Sequence, residues 1–297
     1  MNSKKDILIL VCCHKKSVTV RNDILNDIAV GVANSKQSFE CLLKDNTHDN
    51  ISTLNNKFCE MTAIYWAFKN INADYYGLFH YRRYLDLNSV NDSAVIKTVL
   101  GIDKNFDKRL GLQEANIVSL MKKYDVILPA KWNIDISIYQ QYKKAHDIED
   151  LDFCINYIRD KYPQYNNAIE TYLHSTNLKH NYFNNMFILR RDLFLEYCNW
   201  IFDILFAFDK QKDYFNVDDY EKRVVGFLAE RLFGVFVVFV TDRDKSLRVG
   251  YADSVFVQNT DKKLVNITKI KRRLKRIVKG AMPYSLVRWY QKSKDKS

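Results

Sequence analysis

The sequence predicts an α/β fold in which a mostly parallel sheet is flanked by helices. Strand-sized apolar runs alternate with longer segments of helical periodicity, as in folds where crossover helices connect parallel strands. The 297 residues are enough for one large α/β domain. A hydrophobic content of 47%, with only three prolines and eight glycines, is typical of a globular chain without a flexible linker.

The first half of the chain begins with a strand. The run DILILVCC at 6–13 is predicted as a buried strand that ends in the polar turn HKKSVTVRND. A short strand in FECLL gives way to the turn DNTHDNIS at 45–52, which is rich in Asn and Asp. Residues 55–70 carry apolar side chains on two helical faces, which predicts a helix packed on both sides. The strand DYYGLFHY at 74–81 follows.

The second half of the chain continues the alternation of helices and strands. The predicted elements are a helix at 111–124, the strand DVILPA, helices at 136–146, 149–161 and 163–174, a strand in NYFNNMFILRRD, helices at 192–209 and 217–234, and the strand VFVVFV at 235–240. Ligands of parallel sheets bind at the carboxyl ends of the strands. His14, residues 80–86 and residues 129–131 are therefore predicted to lie near one rim.

The net positive charge belongs to the carboxyl-terminal end of the chain. Residues 261–297 carry thirteen lysines and arginines against two aspartates, a net charge of +11 that equals the net charge of the whole chain. We therefore predict two parts, an α/β domain at 1–260 and a basic tail at 261–297. A formally neutral body argues against a nucleic-acid-binding domain, which would carry a basic face.

The tail has the pattern of an amphipathic helix that lies on a membrane surface. Its apolar residues share one helical face, lysines and arginines fill the rest, and Trp289 and Tyr290 follow Pro283. The apolar runs elsewhere are shorter than the roughly 20 residues that span a bilayer. We expect a cytoplasmic protein, peripheral on the inner face of the plasma membrane, that contacts anionic lipid through residues 262–297. The six scattered cysteines, without a CxxC pair, are expected to be reduced.

The strand at 74–81 runs out of the core into the cationic, aromatic sequence HYRRYLD at 80–86. Arginine presents a planar fork of donors that matches phosphate oxygens, so Arg82 and Arg83 are candidates for binding an anion at the strand end. The alternative is that both arginines pair with carboxylates on neighbouring helices.

Several segments occur in the order found in a family of bacterial glycosyltransferases. They are HKK after the first strand, DNTHDNIS, CEMTAIYWAFKN, GLFHYRRYL, QYKKAHDIEDL, NNMFILRRDLFLEYCNWIFDIL and RVVGFLAERL. Over roughly residues 5–240 the chain resembles this family, known as domain of unknown function 4422 and found in gene clusters for capsule, exopolysaccharide and O-antigen biosynthesis. The pairing of YWAFKN with GLFHYRRYL is the most specific part.

The resemblance implies a fold, a donor and an acceptor. The fold would be GT-A-like, a Rossmann-like sheet flanked by helices. The donor would be a nucleotide sugar, which we expect to be a uridine diphosphate sugar, and the acceptor a lipid-linked saccharide. Some members of the family transfer galactose or galactofuranose, which makes these two sugars the first to test.

The resemblance also bears on the cationic sequence at 80–86. Enzymes of the GT-A class generally hold a divalent metal with an Asp-x-Asp after a central strand, and this chain has no Asp-x-Asp there. Transfer without a metal is therefore expected, with Mn²⁺ or Mg²⁺ on Asp86 or the acidic turn at 45–49 as the alternative. The residues proposed for the donor diphosphate are His80, Arg82 and Arg83, and those that could stack on base or sugar are Tyr81 and Tyr84.

Polar residues near the ends of the first strands are candidates for nucleoside binding. His14 follows the first strand directly. The turn after the second strand offers carboxylates and amides that serve either turn hydrogen bonds or contacts with the ribose. Its candidate residues are Asp45, Asn46, Asp49 and Asn50.

Amide and carboxylate side chains are candidates for the sugar end of the site. Asn184 and Asn185 resemble the Asn-containing strand that lines the sugar pocket in several GT-A families. Amides suit sugar hydroxyls because each amide both donates and accepts hydrogen bonds. Glu60 lies in an otherwise apolar helix, so we expect it to meet and orient a cation such as Arg82 or Arg83.

An inverting transfer needs a carboxylate that removes the proton of the acceptor hydroxyl. The candidates are Asp147, Glu230 and Asp86, and the sequence does not choose among them. Glu230 has a structural ion pair with Arg231 as its alternative role, and a retaining mechanism would need no such base. The rival to an enzyme is a non-enzymatic peripheral membrane or nucleic-acid-binding protein that uses the basic tail.

Overall fold

A computed structural model of the protein describes residues 5–36, 38–131, 134–176, 182–215 and 217–260. The strands are β1 (Lys5–Cys13), β2 (Leu25–Ala29), β3 (Leu43–Lys44), β4 (Ala73–His80), β5 (Arg83–Val90), β6 (Ile96–Gly101), β7 (Val126–Pro129), β8 (Phe187–Arg190) and β9 (Val249–Asn259). The helices are α1 (Asn55–Phe58), α2 (Met61–Asn70), α3 (Phe106–Arg109), α4 (Glu114–Met121), α5 (Ile138–Ala145), α6 (Ile148–Lys161), α7 (Asn166–Ile169), α8 (Arg191–Gln211) and α9 (Val224–Arg243). The predicted α/β fold is confirmed.

The sheet is mixed, whereas the sequence predicted a mostly parallel one. Of the nine strand pairings in the described residues, five are parallel and four are antiparallel. β1 lies between β2 and β4 and is parallel to both, but β8 runs antiparallel to β4 and β7. The prediction was wrong for β8 because a buried apolar run is compatible with either direction.

The run VFVVFV at 235–240, predicted as a strand, belongs to helix α9. This part of α9 is buried on most sides, so it has no polar face that would reveal a helical period. A Cβ at Gly234 would lie 1.9 Å from the Tyr172 ring, so the glycine permits the close packing. The segment Glu221–Arg243 is long and apolar enough to cross a membrane, yet 78% of its apolar window is buried inside the protein, as in a core helix.

The two faces of the sheet pack against different helices. Alternate residues of β1 divide between two cores, with Leu8 and Leu10 in the core of α2, α8 and α9, and Ile9 and Val11 in the core of α3 and α4. This is the period of two that a strand buried on both faces requires. The parallel strands β1 and β4 therefore end together between two helical layers, at one edge of the sheet.

The helix predicted over 55–70 is interrupted between α1 and α2. Cys59, at the interruption, has a φ of 51°, a left-handed value that residues with a β-carbon rarely adopt. The basic tail at 261–297 lies outside the described residues, so its helix, its membrane contact and the boundary at residue 260 stay predictions.

Candidate active site

The candidate site lies at the carboxyl edge of β1 and β4. Cys12 of β1 is opposite His80 of β4, so His14, just beyond β1, comes next to the turn that follows β4. β4 and β5 form a hairpin in which His80 pairs with Arg83, and only two residues make the turn. This tight hairpin places Arg82, in the turn, and Arg83, at the start of β5, at the edge predicted for ligand binding.

Neither hairpin arginine forms a salt bridge within the described part of the chain, so pairing with helix carboxylates is not seen there. The Nε of Arg83 is buried and has no hydrogen-bond partner among the described residues, and the guanidinium lies 5.6 Å from the centre of the Phe256 ring. Burial, together with the charge of Arg82, lowers the pKa of Arg83 to about 10, so it remains a cation at neutral pH. A desolvated, unpaired cation is costly until an anion joins it.

Asn184 and Asn185 form the turn before β8. Both adopt left-handed backbone conformations, with φ values of 92° and 49°, which Asn tolerates better than most residues. Their side chains are buried, yet both polar atoms of the Asn184 amide and the Oδ1 of Asn185 have no partner among the described residues. Buried amide atoms without partners are uncommon in native proteins, so this turn is a candidate for binding ligand hydroxyls.

Hydrogen bonds connect this turn to three other elements. The Nε2 of His80 donates to the carbonyl oxygen of Asn184 at 2.6 Å. The backbone N–H of Asn184 donates to Oε1 of Glu230 at 3.2 Å, and Nδ2 of Asn185 donates to Oε1 of Glu60 at 2.7 Å. The turn thus links the end of β4, the start of α2 and the middle of α9. Glu60 holds the Asn185 amide, and its charge also acts on Arg83, one of the two cations suggested from the sequence.

Glu230 accepts more hydrogen bonds than Glu60, the other carboxylate at this edge. Its Oε2 accepts from Arg231 at 2.9 Å, and Arg231 is completely buried. Burial raises the pKa of Glu230; the charge of Arg231 acts in the opposite direction and that of Glu60 adds to the rise. The charges of Arg83 and Arg223 also act on Glu230. The ion pair considered from the sequence is therefore present, in a carboxylate that lies within the cationic cluster.

The two histidines of the site are neutral at working pH. Burial and the charge of Arg83 lower the pKa of His80 to about 3. His14 keeps part of its ring in solvent, yet desolvation by the surrounding protein and the charge of Arg82 lower its pKa to about 4. The His14 ring meets the buried Tyr81 edge to face, with 5.1 Å between the ring centres. The positive charge of this edge therefore comes from arginines, which pH does not remove.

Arg223 and Cys59 belong to this cluster, although neither was predicted from the sequence. Arg223 immediately precedes α9, and its Nε donates to the Sγ of Cys59 at 3.3 Å. The charge of Arg223 acts on His14 and, like that of Arg83, on Glu230. Helical spacing could have identified Arg223, because a residue seven positions before Glu230 lies on the same helix face.

Three predicted site residues are not brought to the arginine cluster. Asp86 lies along β5, which diverges from β4 after the hairpin pair, and forms a salt bridge with Lys97 at 3.4 Å. Asp147 is the N-cap residue of α6 and accepts a hydrogen bond from the backbone of that helix. Tyr84 is completely buried, with its ring against Phe106. Of the three carboxylates considered as the base, the structure places only Glu230 beside the arginines.

The turn at 45–50 forms hydrogen bonds of its own. Four protein donors surround the Asp45 carboxylate, two backbone N–H groups after β2 and two hydroxyls near α2. Asp49 accepts from Tyr65, and Asn50 hydrogen-bonds within the turn. Asn46 is exposed. The turn chemistry considered from the sequence is present, and a contact with the nucleoside stays a prediction.

Within the residues that the structure describes, one group of potential metal ligands lies close together. It consists of Cys13, Asp27 and Cys41, whose ligand atoms are within 4.8 Å of one another. Asp27 already accepts hydrogen bonds from Thr19 and Arg21. The hydrogen bonds of Asp27 hold the loop between β1 and β2. The group is separate from the arginine cluster, so it does not test whether sugar transfer uses Mn²⁺ or Mg²⁺.

The fold and the site define an α/β protein in which two carboxylates, buried amides and arginines without a salt bridge in the described ranges lie together at one sheet edge. The chain belongs to the family described as domain of unknown function DUF4422, whose model matches residues 8–241. It is also similar to the apo structure of WbbM, a bifunctional glycosyltransferase, with 32% sequence identity and a TM-score of 0.80. This similarity covers 90% of the present chain and 48% of that one, so the chain spans about half of its length. No curated protein matches the sequence.

Proposed function

We propose that the protein is a glycosyltransferase that transfers a sugar from a nucleotide-sugar donor to a saccharide acceptor. The observation that carries this proposal is a set of buried polar atoms near Glu230 that have no partner among the described residues, namely the Arg83 Nε, both polar atoms of the Asn184 amide and the Asn185 Oδ1. A sugar nucleotide presents an anion and a set of hydroxyls in one molecule, which matches both parts of the site. The similarity to WbbM and the position of the site at the carboxyl edge of β1 and β4 support the proposal.

Each part of the site has a role in this proposal. Arg82 and Arg83 bind the diphosphate, and Asn184 and Asn185 bind the hydroxyls of the sugar. His80, expected from the sequence to join the diphosphate site, is neutral and donates its Nε2–H to the Asn184 carbonyl oxygen, so it positions the turn instead. Glu60 holds the Asn185 amide, and Glu230 accepts the proton of the acceptor hydroxyl. The nucleoside lies toward His14, Tyr81 and the turn at 45–50. The acceptor is a lipid-linked saccharide of capsule, exopolysaccharide or O-antigen biosynthesis.

Turnover of sugar nucleotides tests the proposal. We expect saturation-transfer NMR to show binding of one donor in a panel of sugar nucleotides, starting with UDP-galactose and UDP-galactofuranose. With that donor and a lipid-linked saccharide, the protein should release the nucleoside diphosphate. Absence of binding across uridine, guanosine, cytidine and thymidine diphosphate sugars would refute the proposal. It would favour the non-enzymatic alternative based on the tail.

The same assay addresses the need for a metal. Guanidinium groups fixed at the diphosphate can stabilise the charge that develops on the leaving group, which is the role a divalent metal has in many such enzymes. We therefore expect turnover to persist in EDTA. Complete loss in EDTA, restored by Mn²⁺ or Mg²⁺, would contradict this and would direct attention to Asp86, Asp45 and Asp49.

Removal of residues 262–297 is expected to abolish sedimentation with anionic vesicles. Each basic residue near an anionic surface contributes about 1 kcal/mol to binding, and salt weakens this attraction. Sedimentation with phosphatidylserine and phosphatidylcholine vesicles, at low and high salt, measures the effect. Donor binding by NMR is the control and should be unchanged. Equal vesicle binding by the intact and shortened proteins at low salt would contradict the prediction.

A further inference from the structure

Arg223 is held in place by one contact from a distant part of the chain and one from the helix that follows it. Its Nε donates to the Sγ of Cys59, and its guanidinium lies 5.5 Å from the centre of the Phe227 ring. Cys59 reaches this position through its left-handed backbone at the interruption between α1 and α2. A Cβ at Gly226 would lie 3.0 Å from the same sulfur, so the glycine lets α9 approach closely.

These contacts orient the guanidinium but do not neutralise it. A thiol and an aromatic ring accept a hydrogen bond and a cation–π contact without contributing a formal charge. Burial raises the pKa of the Cys59 thiol to about 11, so the sulfur remains protonated and neutral at working pH. Arg223 is exposed, and no salt bridge to it is found in the described ranges. The site therefore contains a third oriented cation besides Arg82 and Arg83.

The position of Arg223 differs from that of Arg82. Both charges act on His14, which places both guanidinium groups near the end of β1. Arg223 in addition neighbours Glu60 and Glu230. These two carboxylates accept hydrogen bonds from Asn185 and Asn184, the residues of the proposed sugar site. Arg223 therefore lies toward the end of the site where the sugar would be transferred.

We propose that Arg223 binds the phosphate that carries the sugar, the β-phosphate of a nucleoside diphosphate sugar. This inference rests on the proposed function of the site. In the transfer, the bond between the anomeric carbon and the β-phosphate oxygen breaks and its electron pair stays on that oxygen. The acceptor oxygen bonds to the anomeric carbon, and its proton passes to Glu230. The leaving diphosphate gains one negative charge, which Arg223 stabilises.

Comparison of nucleoside diphosphate with monophosphate binding tests the inference. Four pairs of nucleotides are titrated calorimetrically into the full-length protein: UDP and UMP, GDP and GMP, CDP and CMP, and dTDP and dTMP. The pair that binds the wild type most tightly is then used for the variants. In Arg223→Ala the affinity for the diphosphate should fall by about 10- to 100-fold, the effect expected for charge-assisted hydrogen bonds. The affinity for the monophosphate should stay within about twofold, since it lacks the β-phosphate.

Two variants control this measurement. Lys222→Ala removes the neighbouring half-buried cation, which forms a salt bridge with Asp219, and should leave both affinities unchanged. Arg223→Lys keeps the charge without the fork and should give an intermediate loss for the diphosphate alone. Equal weakening of both nucleotides by Arg223→Ala, or no weakening of the diphosphate, would overturn the inference. Absence of nucleotide binding by the wild type would instead refute the proposed function.

Discussion

Replacement of Arg83 by lysine is expected to lower kcat/KM for sugar transfer by about 30- to 1000-fold. This range corresponds to the loss of one charged hydrogen bond in the transition state, roughly 2–4 kcal/mol. Lysine keeps the charge but replaces a planar fork of donors with one ammonium group, which does not bind two phosphate oxygens side by side. Steady-state kinetics with varied donor measure the loss, and Arg82→Lys is expected to act in the same direction.

A matched control separates this effect from a general cost of replacing arginine. Arg109 binds both oxygens of Asp103 at the surface, at 2.8 and 2.9 Å, so Arg109→Lys is the same chemical change away from the site. Its kcat/KM should stay within about twofold of the wild type. Because the Nε of Arg83 has no partner among the described residues, Arg83→Lys should leave the thermal unfolding midpoint nearly unchanged. Unchanged turnover in both hairpin variants would refute the role, and loss of the fold would indicate a structural one.

The helix and strand order could be predicted where the chain shows a clear period. The strands β1 and β4 follow from buried apolar runs, and α5 and α6 follow from helical spacing with a capping residue before each helix. The direction of β8 could not be predicted, because the strands with which it pairs depend on how the whole chain folds. The apolar end of α9 was assigned to a strand because a helix surrounded by core lacks the polar face on which the period depends.

Part of the site could be predicted from the sequence, and the rest depends on contacts that form only in the folded protein. Arg82 and Arg83 interrupt an apolar strand. Such an interruption can be recognised in the sequence without knowledge of the fold. The signal for Arg223 was limited to its seven-residue spacing from Glu230, because its thiol partner is 164 positions away in the chain. Asp86 and Asp147 were candidates by residue type alone, and their salt bridge and helix cap could be seen only with the neighbouring elements in place.

Replacement of Glu230 by glutamine is expected to lower kcat by about 100- to 10,000-fold, the contribution that a positioned general base makes. Glutamine keeps the size of the side chain and one oxygen, which accepts from either Arg231 or the N–H of Asn184, but it does not take up a proton. Donor affinity, measured by calorimetry, should therefore stay within about threefold of the wild type. Glu230→Asp, which keeps the carboxylate, should retain more activity than Glu230→Gln.

The pH dependence distinguishes a base from a structural partner of Arg231. Burial raises the pKa of Glu230, and the base must be ionised, so kcat/KM of the wild type should rise with pH through a limb above the ordinary glutamate range. His14 and His80, with pKa values of about 4 and 3, do not supply a limb near pH 6.5. The residual activity of Glu230→Gln should lack this limb, whereas a control such as Glu221→Gln, at the exposed residue just before α9, should keep it. A full acid limb and near-normal kcat in Glu230→Gln would show that Glu230 only holds Arg231 and that the proton goes to another group.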